Sequence, residues 1–189
     1  MNRQPVIVQK PSLSLQLIKS SGVSRDEWLI DVGGGASQLV DCLLDEGYRH
    51  VAVLDIALTA LEFAQSRLAG KADAVEWLQA DITGFQPPHD YSLWHDRAVF
   101  HFLTAAADRR RYVEVLRRAV PVGGHIIIGT FAIGGPERCS GLDIVQYDAS
   151  RLGKELGADF ELQEQADEIH VTPAGKEQKF SFFRFLRTA

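Results

Sequence analysis

What the chain does without narrows its chemistry first. It has two cysteines, Cys42 and Cys139, far apart and in neither a CxxC nor a Cys/His spacing. That gives no basis for a disulfide framework or a metal site, and it fits a reducing, cytoplasmic setting. An excess of positive charge is missing too: 20 Lys and Arg stand against 25 Asp and Glu, for a net charge of -5. No overall field then draws in nucleic acid or an anionic membrane, and neither is expected as a partner. No apolar run is long enough to span a bilayer, and MNRQPVIVQKPSLSLQLIKSSG lacks the apolar stretch and small-residue cleavage site of a secretory leader. Repeats, low-complexity tracts and linkers rich in Pro, Gly or Ser are also absent. A soluble, non-exported protein with one folded domain is the expectation, and 46% hydrophobic residues in 189 suffice for its core. Either a monomer or a homodimer is compatible with this.

What is present is an alternation of short apolar runs with amphipathic ones. Leu13 to Ser20 reads as a helix, Trp28 to Val32 as a buried strand, Ser37 to Glu46 as a helix, His50 to Asp55 as a strand and Ala57 to Leu68 as a helix. Further strands are expected at Val75 to Gln79, Tyr91 to His95 and His125 to Thr130, with a helix over Asp108 to Ala119. This rhythm predicts a doubly wound α/β fold with a mostly parallel sheet and helices on both faces. After a helix at Ser150 to Leu156, two long strands, Phe160 to Val171 and Lys179 to Leu186, flank the turn-prone TPAGKEQ and predict an antiparallel C-terminal hairpin.

The first strand runs into a glycine loop, IDVGGG. In an open parallel sheet, ligands bind beyond the carboxyl ends of the strands, and glycines in the first turn allow a sharp bend and close approach. Gly33 and Gly35 fit the first two positions of a GxGxxG dinucleotide fingerprint, but Gln38 occupies the third. The charge is more informative than the glycines. Asp31 at the strand end repels a pyrophosphate and attracts a cation, a difference of about 4 kcal/mol at ~4 Å and an effective dielectric near 20. S-adenosylmethionine carries both an ammonium and a sulfonium. Asp55 ends the second strand, where a carboxylate accepts the hydroxyls of a ribose. Asp81 ends the third, where it accepts from an adenine amino group, with Ile56 and Ile82 able to sandwich the ring. Three strands ending in three acids suit a cationic nucleoside.

These segments together resemble the class I S-adenosylmethionine-dependent methyltransferases over nearly the whole chain. IDVGGGAS is similar to the first motif of that superfamily, VLDIA to the second, QADIT to the third, YSLWHDRAVFHFL to the fourth, and PVGGHIIIGTF to the following turn and fifth strand. The resemblance implies a Rossmann-like seven-stranded sheet whose last strand is antiparallel, with S-adenosylmethionine as cofactor. It places Asp31, Gly33, Gly34, Gly35, Asp55, Ile56, Asp81, Ile82 and His95 around that cofactor, His95 through its backbone carbonyl. Residues 28–189 then form one methyltransferase domain, and residues 1–27 a short helical segment in the position of a lid. That segment lacks aromatic residues before Trp28, which predicts an open pocket.

LWHDRAVF resembles a WDRGA stretch of thiopurine and tellurite methyltransferases, and FAIGGPERCSGL their substrate loop, also found in thiol methyltransferases. The similarity implies a small, soft nucleophile as methyl acceptor. The fourth strand is not followed by the NPPY or DPPY of base and glutamine methyltransferases, which disfavours those acceptors. Protein lysine methylation, or a cofactor-binding subunit without catalysis, are the other readings. Asp96 and Arg97 are the candidate catalytic residues, with an ion pair at the mouth of the sheet as the plain alternative. His101, in an expected helix, Cys139, in a polar loop, and Tyr147 are candidate substrate residues, with a structural or incidental role as the plain alternative for each.

Overall fold

In the computed structural model, residues 10–171, 175 and 177–189 are described. Residues 1–9 of the expected lid segment and much of the TPAGKEQ turn lie outside them. Seven strands form one sheet: β1 (Trp28–Val32), β2 (His50–Asp55), β3 (Val75–Gln79), β4 (Leu93–Arg97), β5 (His125–Phe131), β6 (Phe160–Val171) and β7 (Glu177–Arg187). Their order is β3-β2-β1-β4-β5-β7-β6. β1 to β5 run parallel, and β7 lies antiparallel between β5 and β6. The chain therefore steps outward from β1 to β3 and crosses back to β4, which makes the β1–β4 boundary the switch point where such sheets open a crevice.

Strand residues alternate between two apolar layers. Leu29, Val51, Val53, Leu93 and Ile127 face α1 (Ser12–Ser21), α2 (Leu39–Asp45) and α3 (Leu58–Leu68). Ile30, Ala52, Leu54, Trp94, Ile126 and Ile128 face α4 (Ala106–Ala119) and α5 (Ala149–Leu156). On α4 the buried positions Tyr112, Val113, Val115, Leu116 and Ala119 make one helical stripe. Each fully buried aliphatic side chain in these layers contributes about 1.5–3 kcal/mol. α1 belongs to the same core, with Leu17 and Ile18 fully buried, and ends where Gly22 adopts a left-handed φ of 76° and donates to the Lys19 carbonyl.

Two elements near the site begin later than in the sequence reading, and a third feature is new. α2 starts at Leu39 because the Ser37 hydroxyl, outside the helix, accepts from the Leu39 N–H at 3.0 Å. β4 starts at Leu93 and runs to Arg97, two residues later than expected, because the Tyr91 N–H is taken by the Ala119 carbonyl and the ladder begins at Leu93 beside Leu29. Loop residues Arg138–Cys139 and Leu142–Asp143 form a small hairpin that the sequence reading does not contain.

Candidate active site

Asp31 and His95 are register partners on β1 and β4, directly across the switch point. Both point to the α1 layer and both are buried, at 2% and 1% exposure. His95 Nδ1 lies 2.7 Å from Asp31 Oδ1, and His95 Nε2 lies 3.0 Å from the hydroxyl of Ser14, itself buried on α1. A carboxylate only accepts, so Nδ1 carries a proton and donates to Asp31, while Nε2 shares a hydrogen bond with the Ser14 hydroxyl. Asp31 Oδ2 has no hydrogen-bond partner among the described residues. Asp31 borders a cleft of about 300 Å³ together with Gly33, Ser37, Gln38, Arg97, Ala98, Gln178 and Phe180.

The glycine loop is shaped around these acids. Gly33 has φ 72°, a conformation that side chains strain, and a Cβ there would also run into Val99. A Cβ on Gly34 would run into the Asp31 carboxylate itself. The Gly35 N–H donates to Asp55 Oδ2 at 3.1 Å, and the Ala57 N–H to Asp55 Oδ1 at 2.9 Å. Asp55 thus ties the loop after β1 to the turn after β2. Asp81 accepts from the Thr83 N–H and hydroxyl, both on Oδ1 at 2.8 Å, and caps the 3-10 turn Ile82–Gly84. Ile56 is 67% exposed while Ile82 is 6% exposed and packs in the core, so only Ile56 offers an open apolar face.

Asp96, next to His95, faces the opposite layer. It is fully buried, and the bonds its carboxylate accepts come from within the protein. Its carboxylate accepts from the Val99 N–H at 2.8 Å, the Phe100 N–H at 3.1 Å and the Tyr112 hydroxyl at 2.6 Å, while Trp94 Nε1–H donates to that same hydroxyl at 2.9 Å. Burial pushes the Asp96 carboxyl up to about 6, against the lowering effect of these bonds. The geometry gives Asp96 the task of holding the turn after β4. Within that turn Ala98 takes φ 69°, at about 1 kcal/mol or more for a residue with a Cβ. Arg97 lines the cleft, its guanidinium 5.5 Å from the Phe180 ring centroid and 3.7 Å from a Glu168 carboxylate oxygen.

Of the three candidate substrate residues, His101 and Tyr147 lie beside the end of β5, and Cys139 lies in the small hairpin. His101 lies in a 3-10 turn, Phe100–Phe102, in place of the expected α-helix. Its ring is fully buried and stacks on Phe131 at 5.0 Å. Burial holds its pKa down at about 4, and neither ring nitrogen has a hydrogen-bond partner among the described residues. The Val145 N–H donates to the His101 carbonyl, and the Tyr147 N–H to that of Phe131, so residues 132–148 cover this region. Tyr147 is 2% exposed and its hydroxyl also lacks a described partner. Cys139, half-buried in the small hairpin, packs against the cluster that contains Phe131 and Phe180. Sequence reasoning missed Ser14, whose contact spans 81 positions. It also missed Gln178 and Phe180, for which the two-residue period of β7 was the available signal.

Comparison with known proteins identifies the family and the fold. Residues 29–124 match a family model described as a methyltransferase domain. No curated protein matches the sequence. Among solved structures, an S-adenosylmethionine-dependent methyltransferase from Clostridium acetobutylicum is similar at 11% identity, covering 97% of this chain and 94% of that one, with a TM-score of 0.76. The 1,6-didemethyltoxoflavin N1-methyltransferase of Burkholderia thailandensis, solved with its substrate and S-adenosylhomocysteine, is similar at 17% identity over 95% and 78% of the two chains, with a TM-score of 0.73. A structure from work on the conversion of a disulfide bond into a thioacetal group in echinomycin biosynthesis is similar at 17% identity over 98% and 86%, with a TM-score of 0.76. With its sheet order and its match over half the sequence, the chain belongs to the methyltransferase-domain family, of class I Rossmann-like fold and with S-adenosylmethionine as cofactor.

Proposed function

We propose that the protein transfers a methyl group from S-adenosylmethionine, held at the β1–β4 switch point, to a small molecule bearing a thiol or another soft nucleophile. One observation carries the placement of the donor: the buried, unpartnered Oδ2 of Asp31 beside a glycine-lined cleft. An anionic oxygen out of water is costly without a partner, and an ammonium group supplies one. Asp55 uses one lone pair on each oxygen for Gly35 and Ala57, which leaves each oxygen able to accept a ribose hydroxyl. Asp81 Oδ2 is the oxygen on which an adenine amino group would donate, with Ile56 against the ring. Bound there, the donor supplies an electrophilic methyl group on a sulfonium. The chain's part is alignment of the acceptor for in-line displacement.

The acceptor belongs beneath residues 132–148. Two polar groups there lack partners among the described residues, the His101 imidazole, beside Phe102 and Phe131, and the Tyr147 hydroxyl, whose ring lies beside Phe100. Because burial keeps His101 uncharged at neutral pH, it offers a lone pair to an acceptor's X–H without repelling a cationic donor. An aromatic lining with sparse polar contacts suits a small polarisable acceptor such as a thiol. The toxoflavin enzyme and the echinomycin structure are in keeping with small-molecule chemistry. The test is incubation with methyl-labelled S-adenosylmethionine and a panel of small thiols, in parallel with cell lysate. Label should enter thiols or the small-molecule fraction, and label found only in protein would overturn the reading.

A further inference from the structure

The Asp31–His95–Ser14 chain goes further than the presence of one acid at the donor site. Asp31 has two carboxylate oxygens, and only the one held by His95 has a partner among the described residues. His95 comes from β4, the strand beside β1, and its far nitrogen reaches Ser14 on α1. All three side chains are at least 98% buried, so no solvent competes for these bonds. We propose that His95 is a positioning residue for the methyl donor. By donating from Nδ1 to Oδ1 it fixes the Asp31 carboxylate with Oδ2 turned to the cleft, and Ser14 fixes the ring through its hydrogen bond with Nε2.

The inference rests on the placement of S-adenosylmethionine at Asp31, and it adds a consequence: seating of α1 and binding of the donor's amino-acid part are linked. Ser14 lies between Leu13 and Leu15 on a helix whose buried face continues through Leu17 and Ile18. A helix held in place by the apolar core therefore orients the Asp31 carboxylate through His95. Neither the glycine loop nor Asp55 depends on this link, so it acts on one end of the ligand only.

The two ring nitrogens make the proposal separable. In His95→Asn the side-chain amide nitrogen replaces Nδ1 and keeps the bond to Asp31, whereas in His95→Gln it replaces Nε2 and keeps only the contact with Ser14. Binding of S-adenosylhomocysteine, which has the ammonium, and of methylthioadenosine, which lacks the amino-acid part, is measured by calorimetry on the full chain. For S-adenosylhomocysteine, His95→Asn should stay within about threefold of wild type and His95→Gln should lose tenfold or more, while methylthioadenosine binds all forms alike. Equal affinity of both variants for S-adenosylhomocysteine, or parallel loss of both ligands, overturns the proposal. If neither variant folds, Ser14→Ala carries the same test: a several-fold loss for S-adenosylhomocysteine alone supports it, and no loss overturns it. Absence of S-adenosylhomocysteine binding by the wild type would instead overturn the donor placement, and this inference with it.

Discussion

At the scale of single residues, neighbours in sequence do opposite work. His95 and Asp96 point to different faces of β4, one to Ser14 on α1 and the other to Tyr112 on α4. From the sequence, His95 read as a cofactor contact through its backbone carbonyl, and Asp96, with Arg97, as a candidate catalyst or an ion pair at the mouth of the sheet. The structure gives Asp96 three internal donors and no exposure, facts that depend on which helix covers each face and have no local signature. Its raised pKa has a measurable consequence. The folded chain holds this proton more tightly than the unfolded one, so the Asp96 contribution to stability is fully present below the ordinary value of 3.8 and is lost as pH rises through about 6. Relative to wild type, Asp96→Asn should gain roughly 2–3 kcal/mol between pH 4 and pH 7 in urea unfolding. A difference between the two proteins that does not change with pH would contradict this assignment.

At the scale of elements, α4 is held to β4 by the Trp94–Tyr112–Asp96 chain as well as by its apolar stripe. Tyr112→Phe removes the hydroxyl that satisfies both the indole N–H and one carboxylate bond, at about 1–3 kcal/mol. Thermal unfolding should therefore fall by several degrees, and a midpoint within about a degree of wild type would show that the chain adds nothing to the packing. β1, β2 and β3 were legible because apolar runs with few polar interruptions have one reading in a parallel sheet. β4 was legible only in part: its last two residues, Asp96 and Arg97, are strand residues that look like loop, since each is charged and its partner lies on a distant segment. The small hairpin at Arg138–Asp143 escaped for a related reason. It is mostly exposed and is tied by a surface ion pair at 2.7 Å, with no apolar alternation to announce it.

At the scale of the whole molecule, the doubly wound order and the antiparallel β7 follow from the alternation of runs that the sequence displays. Among the described residues, no helix is long and apolar enough to cross a membrane. The proposed donor end draws on acids near the ends of consecutive strands: Asp31 one residue before the end of β1, Asp55 at the end of β2 and Asp81 two residues after β3. The acceptor end was legible only as residue types. His101 and Tyr147 come beside the end of β5 through long-range contacts that have no local signature, and Cys139 stays half-buried in the small hairpin. The central claim is that Asp31 Oδ2 takes the ammonium group of the methyl donor. It is tested most directly by titrating S-adenosylhomocysteine and methylthioadenosine into wild type and Asp31→Asn, a variant that keeps the bond from His95 and removes the charge. The account predicts that wild type binds both and that the variant loses tenfold or more for S-adenosylhomocysteine with methylthioadenosine unchanged. Undiminished binding of S-adenosylhomocysteine by Asp31→Asn, or none by wild type, would contradict it.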